Sequence, residues 1–267
     1  MTNHYSQEHY EFLKHEKRKK ATKITLQIAI FVLFFAAWEL TASLGILNPF
    51  IFSSPSRCIA MLSTLWGNGL LTHIGITLAE TLAGFFLGSV LGFLIAVILW
   101  WSPMTRAVLD PYLVVLNSLP KIALGPVIIV WVGSGMASII TVTLLISIVV
   151  AIIGVLNGFN EVEQEKLVLL KTFGATKPQL FFKVVFPASI PTTVSVLKLN
   201  IGMSWVGVIV GEFLNSKAGL GYLIVYGGQV FKMDIVMAAT LILCILSALM
   251  YFLVVWIEKA VLKSRQS

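Results

Sequence analysis

Long apolar runs dominate this sequence, and they limit the fold more than any other feature does. A helix rises about 1.5 Å per residue, so it needs about 20 mostly apolar residues to cross roughly 30 Å of hydrocarbon. Four stretches meet this requirement directly, and a fifth, residues 190–211, meets it despite the charge of Lys198. The four are residues 24–47, 74–101, 136–157 and 235–257. The sequence therefore predicts an all-α, polytopic membrane protein.

A sixth apolar stretch, residues 106–133, contains Pro111, Pro120 and Pro126. Each proline removes a backbone hydrogen-bond donor and crowds the preceding turn, so a helix seldom passes through several of them unchanged. We interpret this stretch as a broken span. It is the third of six predicted transmembrane helices.

The basic residues are distributed unevenly between alternate loops. If the N-terminus is cytoplasmic, fourteen Lys and Arg residues lie in inner segments and three, Arg57, Lys217 and Lys232, lie in outer ones. Lys and Arg accumulate on the cytoplasmic side of membrane proteins, which predicts that both termini are cytoplasmic. The same clustering explains the net charge of +7 without a nucleic-acid partner.

The chain divides by polarity into three parts. Residues 1–23 form a basic cytoplasmic tail, residues 24–258 a single transmembrane domain, and residues 259–267 a C-terminal cytoplasmic tail. The transmembrane domain includes a cytoplasmic loop, residues 160–187. No small-residue cleavage site follows the first apolar run, which is typical of an uncleaved signal anchor.

Residues able to bind metals are few. His4, His9 and His15 could chelate a metal, but a solvated tail explains them more simply. Cys58 and Cys244 are far apart and match no metal or redox spacing. No metal site is predicted.

Three glycines recur every four residues in the second span, at Gly84, Gly88 and Gly92. This spacing places them on one helical face, where a neighbouring helix can approach closely. We expect helix packing here, within or between subunits.

The segment "KTFGATKPQLFFKVVFPASIP", residues 171–191, is too broken to cross a bilayer. It belongs to a predicted pair of short helices in the loop. Asn160 and Glu163 have the spacing of a capping box for the first helix, and Gly174 suits the left-handed residue after its end. Thr176 and Gln179 repeat the box for the second.

Pro178 is tolerated in the first turn of that second helix, and Pro187 is expected to stop it. The pair has an apolar side that cannot face water comfortably. Either the protein's own membrane helices cover this side or a cytoplasmic partner takes it in a groove. Its members are Leu167, Leu170, Phe173, Leu180, Phe181, Val184 and Val185.

Ionisable side chains at membrane depth are costly, and they usually face a cavity or a partner. Each could line a path for a solute, form an ion pair or reach the membrane surface. Lysines and glutamates occur together, so charge does not name the solute. The candidates are Glu39, Glu80, Lys121, Lys198 and Glu212.

Several motifs resemble permease subunits of bacterial ATP-binding-cassette importers, of the nitrate, sulfonate, taurine and bicarbonate type that includes importers of thiamine precursors. They are "WELTASLGILNPFIFSSPS", "LPKIALGPVIIVWVG", "KTFGATKPQLFFKVVFPASIP" and "GEFLNSKAGLGYLI", in the family's order. One position departs: the family's glutamate-alanine-alanine corresponds to Val168, Leu169 and Leu170 here, so the glutamate is absent. The contact surface is then more apolar, or it uses Glu165 or Lys171.

The resemblance implies a MetI-like type I importer permease, in a bacterial cell membrane, that is not itself an enzyme. A separate ATPase would bind ATP and Mg, since this chain has no G-x-x-x-x-G-K-[ST] phosphate loop. A second permease subunit, expected to be a copy of this chain, and an external solute-binding protein would complete the importer. The residues implied to contact the ATPase are Phe173, Gly174, Ala175, Thr176, Gln179, Phe181, Phe182 and Pro187.

Two other functions fit a membrane protein of this length. A secondary transporter would use an ion gradient and often has paired broken helices, whereas this sequence has one. A membrane scaffold would transport nothing. The short outer segment "SKAGLGYLIVYGGQVFKMD" is either a lid dipping towards the path or a surface loop.

Overall fold

A computed structural model describes residues 7–263, with side chains for residues 12–260. His4 lies outside this range, as does the side chain of His9. The described chain is almost entirely helical. The helices are α1 (Gln7–Ser43), α2 (Pro49–Phe52), α3 (Pro55–Gly67), α4 (Leu70–Trp101), α5 (Pro103–Ser118), α6 (Gly125–Val132), α7 (Met136–Asn160), α8 (Gln164–Thr172), α9 (Lys177–Leu180), α10 (Phe186–Asn215), α11 (Leu220–Gln229) and α12 (Met233–Lys263).

Five helical segments in the described residues are long and apolar enough to cross a membrane. They are α1, α4, α7, the continuous run from α9 through α10, and α12. The count rises to six if α5 and α6 form one span, because these helices are bent by 86° at their junction. Pro120 stands at this break, whereas Pro111 lies inside α5 without ending it and Pro126 is the second residue of α6.

Helix α7 is the centre of the bundle and packs against both α4 and α10. The glycine face of α4 makes this close approach possible. A Cβ atom at Gly84 would collide with Thr143, one at Gly88 with Ser147, and one at Gly92 would lie 2.5 Å from the Cβ of Ala151. The glycines therefore serve packing within the chain.

The second helix of the predicted pair does not stop at Pro187, and this expectation was wrong. α9 continues through a π-helical turn, Phe181–Val185, directly into α10, giving one helical run of 39 residues. A π turn shifts the hydrogen-bond register, and a helix can use such a shift to accommodate a proline. Pro187 therefore lies in the first turn of α10 instead of ending a helix.

Helix α1 begins at Gln7, so the basic segment from that residue onward is helical and continuous with the first span. Its apolar side chains are largely exposed, as expected for a helix that faces lipid. At the far end of α1, Glu39 accepts hydrogen bonds from the backbone N–H and the hydroxyl of Ser56, at 2.9 and 2.8 Å. This carboxylate fixes α1 to the start of α3.

The segment after α10 is a docked helix and not a surface loop. In α11, Leu220 and Leu223 are buried against α12 and neighbouring elements. Arg57 binds Asp234 at 2.9 Å, and the hydroxyl of Ser53 donates to the same carboxylate at 2.7 Å. These contacts hold α3, α11 and α12 together at one end of the bundle.

Candidate functional site

The turn between α8 and α9 is built by glycine. Gly174 has φ +78°, a conformation that side chains with a Cβ seldom adopt. Its N–H donates to the carbonyl of Lys171 at 2.9 Å, and the N–H of Ala175 donates to that of Leu170 at 3.0 Å. This is the expected left-handed end of a helix.

The second predicted cap is also present, in part through Gln179. Its side-chain oxygen accepts the Thr176 N–H at 2.8 Å. The Lys177 ammonium donates to the carbonyl of Trp101 at 2.5 Å, next to the end of α4. The turn is thereby tied to the bundle.

The predicted first cap was wrong. Asn160 is the last residue of α7, and its side-chain oxygen accepts a hydrogen bond from Arg106 at 2.9 Å. α8 begins only after Glu163, which instead binds Lys166 on the surface at 3.1 Å. Asn160 does not cap α8 because it still belongs to α7, and α8 begins only at Gln164.

The assignment of Phe181 as an exposed contact residue was wrong. Its side chain is 3% exposed and packs between Trp100, Trp101 and Phe159, with ring centroids 5.0 to 5.8 Å away. Leu180 and Val185 are buried on the same side. The protein's own helices therefore cover this half of the apolar side.

Of the remaining members of that side, Phe173 is exposed, and Leu167, Leu170 and Val184 are half-buried. Phe173 is 80% exposed and Phe182 is 65% exposed. Val168 and Leu169, at the positions of the family's missing glutamate and its neighbour, are also exposed. These four residues are called the coupling surface below. Large exposed apolar side chains can mark a protein–protein interface.

Both lysines among the candidates for the solute path have partners within the chain. The Lys198 ammonium is 2.8 and 2.9 Å from the two carboxylate oxygens of Glu258, which joins α10 to α12. Lys121 donates to the carbonyl of Asn117 at 3.0 Å, across the break after α5. Both interactions are structural. From the sequence alone, Glu258 could have been recognised only as a carboxylate at the end of an apolar span that needs a cationic partner.

Glu212 has the most complete set of partners. Its carboxylate is 1% exposed and accepts hydrogen bonds from the Thr77 hydroxyl at 2.6 Å and from the N–H groups of Gly221 and Tyr222 at 2.5 and 3.2 Å. The N–H of Leu220 donates in turn to Thr77 at 2.8 Å. Glu212, on α10, therefore accepts hydrogen bonds from backbone N–H groups in the first turn of α11, which would otherwise lack partners. Its hydrogen bond with Thr77 also connects these two helices to α4. No sequence pattern pointed to Thr77.

Glu80 differs from the other carboxylates. It is 2% exposed and lies against Glu212, yet its Oε2 atom has no hydrogen-bond partner. It borders a cavity of about 610 Å³ between the ends of α4, α7 and α10. The structure thus separates the candidates: Glu39, Lys121, Lys198 and Glu212 make hydrogen bonds or ion pairs within the chain, whereas Glu80 keeps one buried carboxyl oxygen without a hydrogen-bond partner.

Comparison with known proteins decides the family. Residues 84–263 match the model for the binding-protein-dependent transport system inner membrane component. The chain belongs to this family. It is a multi-pass membrane permease subunit of an ATP-binding-cassette importer, and not an enzyme.

Individual relatives agree. The permease is 34% identical over 224 residues to a probable ABC transporter permease of Haemophilus influenzae, covering 82% of this chain and 89% of the relative. It is 30% identical to the formylaminopyrimidine transport permease ThiX of Halalkalibacterium halodurans, covering 72% and 76%. The taurine transport permease TauC of Escherichia coli is 23% identical, covering 88% and 90%.

Solved structures have the same fold. A subunit of the inward-facing MetNI methionine ABC transporter aligns with a TM-score of 0.66 at 21% identity, covering 74% of the permease and 98% of that chain. A chain of a bacterial alginate importer aligns with a TM-score of 0.64 at 14% identity, covering 94% and 99%.

Proposed function

We propose that two copies of this permease form the membrane path for a small, nitrogen-rich solute of the formylaminopyrimidine class. Among the relatives whose names state a solute, ThiX has 30% identity, against 28% and 23% for the sulfonate permease of Bacillus subtilis and TauC. The difference is modest, so the assignment also depends on the charges within the bundle.

The pairing of the lysines supports this choice of solute. An anionic sulfonate would be bound most readily by an unpaired cation at membrane depth. In the described residues, Lys198 is neutralised by Glu258, and the Lys121 ammonium donates to a carbonyl. The carboxyl groups of Glu80 and Glu212 are buried beside each other near one end of the bundle. A solute rich in N–H donors suits this environment better than an anion does.

The observation that carries the proposed coupling is the exposure of Phe173 and Phe182 on a turn whose opposite side is buried. A rigid turn with one open apolar side suits a groove in another protein. We assign this groove to the ATPase subunit, which would bind ATP and Mg. Because the coupling surface includes Val168 where the family has glutamate, the contact would be mainly apolar.

The uneven distribution of Lys and Arg supports a bilayer orientation with both termini and the coupling surface in the cytoplasm. α5 and α6 would then form the broken third of six spans. A solute-binding protein would dock at the opposite end, near α11.

Reconstitution tests this function. The permease is purified with its ATPase and binding protein, placed in proteoliposomes, and supplied with labelled formylaminopyrimidine. We expect uptake that requires ATP and the binding protein. Competition with unlabelled taurine and ethanesulfonate tests the solute class. Uptake by the permease alone under an ion gradient would contradict the proposal, as would strong competition by ethanesulfonate.

A further inference from the structure

We propose that a cleft at the end of the bundle that we place in the cytoplasm binds the headgroup of an anionic phospholipid, through the ammonium groups of Lys171 and Lys177. The cleft lies between the ends of α4 and α7, the start of α5, and helices α8 and α9. This inference goes beyond the proposed function and does not depend on the solute. It uses the proposed orientation only to name the inner leaflet as the source of the lipid.

The cleft has the size and the composition of a ligand site. Its volume of about 630 Å³ falls within the roughly 300–1,000 Å³ of small-molecule sites. Apolar side chains, including Leu99, Trp100 and Leu167, line it together with polar ones. A phosphate group and its glycerol can enter such a space while the acyl chains stay outside. The polar lining residues are Arg106, Asp110, Asn160, Gln164, Lys171 and Lys177.

Basic side chains outnumber acidic ones in the cleft. The acidic residue in its lining is Asp110, whose carboxylate lies 3.4 Å from Nε of Arg106. The same guanidinium donates to the side-chain oxygen of Asn160 at 2.9 Å. Arg106 is therefore compensated within the chain, and the two lysines supply the remaining positive charge. An excess of positive charge favours an anionic ligand such as a phosphate group.

Both lysines have N–H groups left for a ligand. The side chain of Lys171 makes no hydrogen bond or ion pair within the described residues. Lys177 donates to the carbonyl at the end of α4, and its ammonium has three N–H donors in all. Glu163 and Glu165 do not line the cleft, and Glu163 already binds Lys166 at 3.1 Å. The oxygens of a phosphate would thus meet donors that the chain does not use itself.

The cleft is separate from the coupling surface. Successive residues of an α-helix are turned by about 100°, so Gln164, Leu167 and Lys171 share one face of α8, and this face lines the cleft. Leu169, which belongs to the coupling surface, lies on the opposite face of the same helix. α8 can therefore contact the ATPase with one face and a lipid with the other.

The residues around the cleft place it at the level of lipid headgroups. Trp100 lines the cleft and Trp101 beside it is partly exposed, and tryptophan is enriched where the apolar core of a membrane meets water. On α5, Met104 and Val108 are neighbours of the cleft residue Ala107 and are 74% and 52% exposed. They offer the acyl chains an apolar surface next to the headgroup. Basic pockets between membrane helices on the cytoplasmic side are typical sites for anionic headgroups.

Native mass spectrometry of the importer, purified as permease with its ATPase, tests this site. Phosphatidylglycerol and phosphatidylcholine are the two probes. Lys171→Gln removes the free ammonium, and Ala107→Phe fills the cleft from α5. Both residues are exposed, so both variants are compatible with folding. Lys166→Gln is the matched control, because it removes an exposed lysine of α8 that does not line the cleft.

We expect the wild-type importer to hold one phosphatidylglycerol per permease subunit, about tenfold more tightly than phosphatidylcholine, whose choline cancels the phosphate charge. Lys171→Gln should weaken phosphatidylglycerol binding by about tenfold, the effect of one lost charge-assisted hydrogen bond. Ala107→Phe should weaken it at least as much. Lys166→Gln should bind within about twofold of wild type, because an exposed charge outside the site contributes little. Inorganic phosphate should not displace the lipid.

The other outcomes overturn the proposal. Equal binding of phosphatidylglycerol by Lys171→Gln, Ala107→Phe and Lys166→Gln would refute the site, and so would equal binding of the two lipids by wild type. Displacement by inorganic phosphate would show that the ligand is a free anion. Binding that appears only after the ATPase is removed would show that the ATPase fills the cleft. None of these results involves uptake of formylaminopyrimidine, so the proposed function is tested separately.

Discussion

The ammonium of Lys198 lies 2.8 Å from one carboxylate oxygen of Glu258, and this ion pair joins α10 to α12 across 60 positions of sequence. Both side chains are mostly buried, with 23% and 15% exposed. In the apolar part of a membrane protein each charge compensates the desolvation of the other. The pair therefore fixes how the last span packs.

Removing one partner of this pair should destabilise the permease. We expect Lys198→Met to lower the free energy of unfolding by about 3 kcal/mol, because Glu258 is left buried without a cation. The double variant Lys198→Met/Glu258→Leu should recover most of the loss. Thermal unfolding in detergent measures both.

The surface pair of Lys166 and Glu163 is the control for this prediction. Its side chains are 61% and 65% exposed, so Lys166→Met should change stability by less than about 1 kcal/mol. Equal effects of Lys198→Met and Lys166→Met would show that the buried pair has no special role.

Adjacent phenylalanines should respond differently to the same change. Phe182→Asp places a charge on the coupling surface, so we expect loss of the ATPase during purification with normal insertion of the permease. Phe181→Asp places the charge between Trp100 and Phe159, so we expect an unstable permease that fails to accumulate. Co-purification and membrane abundance distinguish these outcomes. An ATPase that stays bound to Phe182→Asp would disprove the assigned contact.

The glycine face of α4 predicts that the same glycine-to-alanine substitution changes the free energy of unfolding in opposite directions at two positions. Gly84→Ala collides with Thr143, so it should destabilise the bundle by about 1–3 kcal/mol. Gly202→Ala in α10 meets open space and should stabilise by roughly 0.5–1 kcal/mol, since alanine favours the helix. Denaturation of the two variants in one detergent compares them. A stabilised Gly84→Ala would contradict the packing.

Cysteine labelling tests the proposed orientation. In intact cells, a membrane-impermeant maleimide should label Lys217→Cys, whereas Phe173→Cys should react only after the membrane is opened. The native background should be low: burial raises the pKa of the Cys58 thiol, so little thiolate is present at neutral pH, and Cys244 lies within the apolar part of α12. Labelling of Phe173→Cys in intact cells would reverse the orientation.

Features that depend on local sequence were predicted well. Hydropathy and length located all five long spans, because a bilayer requires every backbone group to be satisfied inside a helix. Three of them match the prediction to within a few residues, but the first helix extends well before residue 24 and the helical run that contains residues 190–211 begins at Lys177. The left-handed Gly174 and the contact of Thr176 with Gln179 depend on a few neighbouring residues, and both are present. The break after α5 was predicted from three prolines, although only Pro120 marks it.

Features that depend on tertiary packing were not predictable. Phe181 and Phe182 are chemically identical neighbours, and only the position of Trp100 and Phe159 decides which ring is buried. Asn160 has the spacing of a cap, but Arg106 from another helix takes its side-chain oxygen. The partner of Lys198 is 60 residues away, and the unpaired oxygen of Glu80 can be recognised only once the packing around it is known.

The unbroken helical path from Lys177 to Asn215 has a mechanical consequence. At 1.5 Å per residue its 39 residues extend about 58 Å, from the turn beside Phe182 to the carboxylate of Glu212 that grips α11. A tilt imposed by a motor protein at the first end would be carried to the second, because the run contains a π-helical turn and two prolines, Pro187 and Pro191, but no loop. Closure of the nucleotide sites in the motor protein would thereby move the end of α10 on the opposite side of the membrane.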